Sequence, residues 1–397
     1  MTMKRIDRRT FLHHGIVLAA TTPLALSLAP AGLLAQEDRS PSTGNLHGFT
    51  RSDAKVAIVR CRSYGPETRQ ALAKCFDLLG GISGLVKNKT VTVKLNLTGT
   101  DFSPFLGRPV GETFMTHPST ALSLGALLLA AGARRVRFVE STQSRSELAS
   151  TLTLAGWDLT DFEALGPVEF ENTRNLGRGK SYAHLPVPAG GRMFSAFELN
   201  HSYANTDVMI SLAKLKTHLT AGVTLSMKNM FGLTPNSLYG AEAGNEEATE
   251  GRLPLHNPKG FEKIKLPGLK TDIASIDPTW RVPRIVVDIC AARPIHLAII
   301  DGVSAMSGGE GPWCGEAGPL KVTSPGVLIA GLNPVSTDAV GTAIMGFSDP
   351  RSPRGVKPFA SCDNHLLMAE QAGLGSVELS QIDVRGTEIS KVRYLYG

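Results

Sequence analysis

Short apolar runs alternate with amphipathic stretches along most of the chain, a pattern that predicts buried strands separated by helices. Strands are expected at 55–60 (KVAIVR), 91–97 (VTVKLNL), 136–140 (VRFVE), 208–215 (VMISLAKL), 297–301 (LAIID) and 326–330 (GVLIA), with a last one at 382–384. Between them, helical spacing predicts helices over 66–79, 119–131, 145–155, 221–231, 284–293, 337–345 and 363–372. Pro66 suits a first helical turn and Gly132 a helix stop. Residues 164–196 read as β-hairpin and loop. Strands that are apolar on both faces and interleaved with helices predict an α/β fold, a mainly parallel sheet covered by helices on both faces. Into it falls a long polar insertion at 236–282, including GAEAGNEEATEG. Such a run is either a lid that partly orders over a site or a plain insertion.

The first residues read differently. Arg8 and Arg9 precede Phe11 and Leu12, and a charge-free, mildly apolar stretch runs from Gly15 to Leu34. This resembles a twin-arginine export signal, with cleavage sites at Ala29-Pro30-Ala31 or near Ala35. The alternative is a retained anchor, which Pro23 and Pro30 weaken. The resemblance implies a folded protein passed to the twin-arginine export machinery, a periplasmic or otherwise exported location, and no stable membrane span once the signal is removed. The expected organisation is a signal at 1–35, a polar linker at 36–50 and one α/β domain over 51–397.

Composition then narrows the function. The 397 residues are 42% hydrophobic, 19% charged and 6% aromatic, which excludes low-complexity, collagenous and multi-span membrane chains. The formal charge of +6 suggests a polyanionic partner. Lys4, Arg5, Arg8 and Arg9 against Asp7 account for half of it within residues 1–35. No basic stripe with interleaved aromatics remains, so nucleic acid is not an expected partner. None of the five cysteines (Cys61, Cys75, Cys290, Cys314, Cys362) forms C-x-x-C, so no iron–sulfur cysteine motif is present.

Open parallel sheets bind ligands beyond the carboxyl ends of their strands. The polar residues ending the apolar runs form a set: Lys94 and Asn96, Glu140 and Ser141, Lys214, Lys216 and His218, Asp301, then Asn333 and Asp338. Lys214 and Lys216 are two apart and share a strand face, which His218 continues; Lys228 and Asn229 follow on a helix. Several lysines at one strand end call for an anion, supplied by a ligand or by Glu140, Asp301 and Asp338. One reading has Lys214, Lys216 and Lys228 cradling a small anionic ligand, with His218 exchanging protons. The blander one has exposed lysines and a turn-capping histidine. A divalent metal held among Glu140, His117, Asp288, Asp301, Glu310 and His218 lacks any local motif. The 302–312 glycine-rich run could offer N–H groups to an anion or be a loop, and Cys314 beside it has no identifiable histidine partner.

KLKTH (214–218) followed by TLSMKNMFGL (224–233) resembles the signature of the DUF362 family, whose function is unassigned. VKLNL, THPST and AGARRVRFVEST (within 93–142) are similar to its N-terminal half. LAIIDGVSAMSGGEGP (297–312), AGLNPVSTDAVGTAIMG (330–346) and HLLMAEQAGLG (365–375) are similar to its remainder. The resemblance spans roughly 54–387. It implies an α/β fold and an important KLKTH region, but no reaction. Many members carry a ferredoxin-like module with clustered cysteines, which this chain lacks. The expectation is an enzyme (hydrolase, lyase or isomerase) acting on a small anion, with His218, Lys216 and Lys94 catalytic and Asn96, Lys214, Lys228, Asn229, Glu140 and Asp301 binding ligand. The alternative is a non-catalytic ligand- or metal-binding or maturation protein.

Overall fold

The computed structural model describes residues 54–317 and 319–396; the signal and linker expected at 1–50 lie outside them. Eight strands form one sheet: β1 (Lys55–Arg60), β2 (Thr90–Lys94), β3 (Arg135–Glu140), β4 (Val168–Asn172), β5 (Val208–Lys214), β6 (Leu297–Gly302), β7 (Val327–Gly331) and β8 (Asp383–Gly386). Their spatial order is β8-β1-β7-β6-β5-β2-β3-β4. All pairings are parallel except those of β7, which runs antiparallel to both β1 and β6. The α/β fold with a mainly parallel sheet is as expected.

Period-two alternation sends each strand's side chains to two cores. Ala57, Val91, Val93, Ile210, Leu212, Leu297 and Ile299 face one core, with α1 (Pro66–Leu79) and α2 (Pro118–Ala130). Val56, Ile58, Met209, Ala298, Ile300 and Ile329 face the other, under α3 (Leu225–Asn229), α4 (Pro278–Ala292) and α5 (Pro334–Ile344). Burying each fully covered aliphatic side chain contributes about 1.5–3 kcal/mol. Among the described residues, no helix is long and apolar enough to cross a membrane.

Two expectations change. The 164–196 segment is not only hairpin and loop, because its start, β4, is the edge strand of the main sheet. Its VEFEN sequence hides the strand: Glu169 faces Arg137 of β3 at 2.6 Å, so polar residues occupy positions that pairing satisfies. The helix expected from 284 begins at Pro278, where Asp277 caps the Thr279 N–H at 2.8 Å. Pro283 lies within it.

Candidate functional site

The carboxyl ends of β2, β3, β5 and β6 gather the lysines and acids expected there. Lys214 and Asp301 are register partners on adjacent parallel strands, so their ends meet. The Lys214 ammonium, fully buried, donates to Asp301 Oδ2 (3.2 Å), Tyr64 Oη (2.9 Å) and Gly111 O (2.8 Å). An ammonium has three protons, so its donor capacity is used within the fold. Asp301 also accepts from Thr120 Oγ1, Tyr64 Oη and the Val303 N–H.

Lys94 and Glu140 form a second such pair on β2 and β3, 2.5 Å apart and both about 2% exposed at the side chain. Lys94 also donates to Leu95 O, and Glu140 accepts the Leu97 and Ser141 N–H groups. Gly232 packs against this pair: a Cβ there would stand 2.9 Å from Lys94 Nζ and 3.2 Å from Glu140 Oε1.

Lys216 shares the face of Lys214, as the two-residue spacing requires. Lys214 reaches Gly111 O, and Lys216 reaches Phe114 O at 2.7 Å in the same segment. Lys216 also donates to Glu310 O at 2.9 Å, which ties the 302–312 glycine-rich run to the site. Burial brings the Lys216 pKa down to about 7. Burial also lowers those of Lys94 and Lys214, with their carboxylate partners opposing it.

Lys228 differs from these three. It lies on α3, whose start is fixed by Asp338: Oδ1 accepts from the Ser226 N–H and Oγ (2.9 and 2.5 Å), and Oδ2 accepts from the Met227 N–H (2.8 Å). This capture holds Leu225 at φ 43°, a left-handed conformation rare outside glycine. Asp338 therefore positions the lysine-bearing helix rather than pairing with a lysine. Burial pushes its pKa up to about 7. Asn229 braces α3 from below, its amide donating to Ser211 Oγ and Lys94 O. The half-buried Lys228 ammonium rests over the Phe231 ring, 4.6 Å from its centroid. It has no hydrogen-bond acceptor and no carboxylate within 4 Å among the described residues. Burial lowers its pKa to about 8; Glu310 opposes this, while Arg252 and Lys94 add to it.

His218 lies close enough to this ammonium to feel its charge. Its Nδ1 accepts the Thr220 N–H at 3.2 Å, with Glu310 Oε2 3.7 Å away. Burial drives its pKa well below the usual imidazole range. Burial works against ionisation of Glu310, but the facing His218, the Leu219 N–H and Lys228 outweigh it and bring its pKa down to about 2.

The polar insertion supplies two residues that sequence reasoning missed. Arg252 donates to Thr234 O (2.7 Å) and Ser141 O (3.1 Å), fastening the insertion across the site. His256 packs against Phe231, 5.0 Å between ring centroids, and its pKa falls to about 4, burial first and Lys228 among the causes. The insertion is anchored at further points, Arg174 to Glu246 O and Arg281 to Leu255 O among them. The only sequence signal was LPLH at 253–256, a short apolar run inside a polar segment.

The other candidates are placed elsewhere or used by the fold. Asn96 and Asn229 each bury a side-chain oxygen that has no partner among the described residues. His117 caps α2 through Nδ1 and stacks on Tyr64. Asp288 accepts three N–H groups from Arg192, Met193 and Phe194. Asn333 caps α5. Cys314 is buried, which pushes its thiol up to about 12 and disfavours a thiolate nucleophile. Among the described residues, no three His, Cys, Asp or Glu side chains are grouped to hold a metal ion. A groove of about 560 Å³ beyond β2 and β3 has a neutral lining, including Thr100, Phe102, Gln143 and Ser144.

An α/β sheet with a buried, lysine-rich cluster at its strand ends describes a class. Residues 91–343 match the family profile described as a domain of unknown function, DUF362. The chain belongs to that family. It is 26% identical over 213 residues to a thylakoid-associated protein of Synechocystis, which covers 52% of this chain and 60% of that protein. The chain thus spans less than two thirds of that relative's length. It is also similar to a crystal structure of a Thermotoga maritima protein at 14% identity and a TM-score of 0.33, over 63% of this chain and 54% of that one.

Proposed function

We propose that the protein is an enzyme whose site takes a small anionic substrate at Lys228, beside His218, at the carboxyl ends of the sheet. One observation carries the reading: of the four lysines gathered there, Lys228 alone lacks an acceptor among the described residues. Lys94, Lys214 and Lys216 set the field and hold the walls, while the Lys228 ammonium has donors to offer a ligand. Arg252 and Lys94 keep the region positive, and limited water strengthens attraction for an anion. His218, neutral near pH 7, supplies a proton-exchanging group. Hydrolase, lyase and isomerase chemistry all fit such a site.

Calorimetry with sulfate and inorganic phosphate tests this reading. Binding to the wild type and its loss in Lys228→Met, with the near-ultraviolet circular dichroism unchanged, are the expected results. Equal binding by wild type and Lys228→Met would overturn it. Turnover that vanishes in His218→Gln while anion binding persists is expected of an enzyme; a non-catalytic ligand carrier shows no turnover in either.

The arginine pair and the mild apolar stretch support export by the twin-arginine route. Replacing Arg8 and Arg9 by lysine is expected to leave the protein inside the cell, as shown by fractionation; undiminished export would contradict it.

A further inference from the structure

The two histidines at Lys228 are not equivalent. His256 Nδ1 lies 2.9 Å from Arg252 O, one helical turn back. A carbonyl oxygen only accepts, so the His256 proton is on Nδ1 and its Nε2 carries the free lone pair. His218 is the reverse. Its Nδ1 accepts the Thr220 N–H, so in the neutral ring the proton is on Nε2. Among the described residues, neither Nε2 has a hydrogen-bond partner. Both rings keep the neutral form near pH 7, since burial, aided by the facing cations and opposed by Glu310, lowers both pKa values. Lys228, Glu310 and Arg252 face His256; Glu310, Lys228, Lys216 and His256 face His218.

From these hydrogen bonds we infer that His256 is the proton acceptor and His218 the hydrogen-bond donor of one pair flanking the anion at Lys228. The inference rests on the anion site proposed above and narrows its chemistry. His256 Nε2 takes a proton from one atom of the bound anion and becomes an imidazolium, while the His218 Nε2–H hydrogen-bonds the atom on which negative charge develops. The imidazolium then returns that proton to a second atom of the substrate or to a leaving group, which restores His256, and His218 stays neutral throughout. No electrons leave the substrate and no co-reactant is consumed. The substrate class that fits is a small organic anion with an abstractable proton near its charge, turned over by isomerisation or elimination.

The tautomers are measurable without knowing the substrate. Long-range proton–nitrogen spectra of the nitrogen-15-labelled protein, assigned with His256→Gln and His218→Gln, should show a protonated Nδ1 on His256 and a protonated Nε2 on His218. Diethyl pyrocarbonate attacks an accessible unprotonated ring nitrogen, so peptide mass spectrometry should find His256 modified ahead of His218. Sulfate at about ten times its dissociation constant should slow the His256 reaction ~10-fold by occupancy. A protonated Nε2 on His256, or faster modification of His218, would overturn the assignment while leaving the anion site standing. Sulfate that binds by calorimetry yet leaves the His256 rate unchanged would likewise overturn the pair, because His256 would not face the anion. Sulfate that gives no heat at all would remove the anion site itself.

Discussion

Lys214 and Lys228 stand at the same end of the same sheet, yet they are different kinds of lysine. Lys214 is fully buried and its three protons meet Asp301, Tyr64 and Gly111. Lys228 is half-buried over a phenyl ring, with no such acceptor among the described residues. Burial of a cation is therefore a poor marker of a ligand site. The useful quantity is the donor capacity left after the fold has taken its share.

The contrast breaks most visibly at Asp301. Removing one member of a buried ion pair leaves an uncompensated charge, so Asp301→Ala should cost about 3–5 kcal/mol, read from urea unfolding. The double change Lys214→Met/Asp301→Leu should recover most of that loss. A cost below ~1 kcal/mol for Asp301→Ala would show that Lys214 is not held by the pair.

Lys228 should respond to pH instead. Its folded pKa, about 8, is below the ordinary 10.5 because burial disfavours the ammonium. The charged form, the one that attracts an anion, dominates below that value and is lost above it. Sulfate keeps its charge over this range, so its affinity should fall about tenfold per pH unit above 8. Calorimetry at pH 7, 8 and 9 checks this; a flat profile contradicts it. The smallest expected effect is at Gly232. The Cβ of Gly232→Ala would press on the Lys94–Glu140 pair, so the variant should lose about 1 kcal/mol, measured by thermal unfolding.

Much of this was legible in the sequence. The apolar runs gave the strands, and the residues ending them gave Lys94, Glu140, Lys214 and Asp301, because neighbouring parallel strands bring their ends together. The pairing between those ends was less legible, since strand order is a tertiary fact. So was the reversal of β7, because an apolar run carries no direction. The edge strand β4 was obscured by glutamates that face arginines. His256 escaped for a different reason: it lies 38 residues beyond His218 in a polar segment without periodicity, and only the fold returns it to Phe231 and Lys228.

The most direct test is a crystal of the protein grown or soaked with tungstate, a heavy sulfate analogue, with its anomalous signal mapped. The account predicts a peak with oxygens ~3 Å from Lys228 Nζ, and its absence from crystals of Lys228→Met. A peak seated instead at Lys214 or Lys94, or one at Lys228 that survives its replacement by methionine, would contradict it.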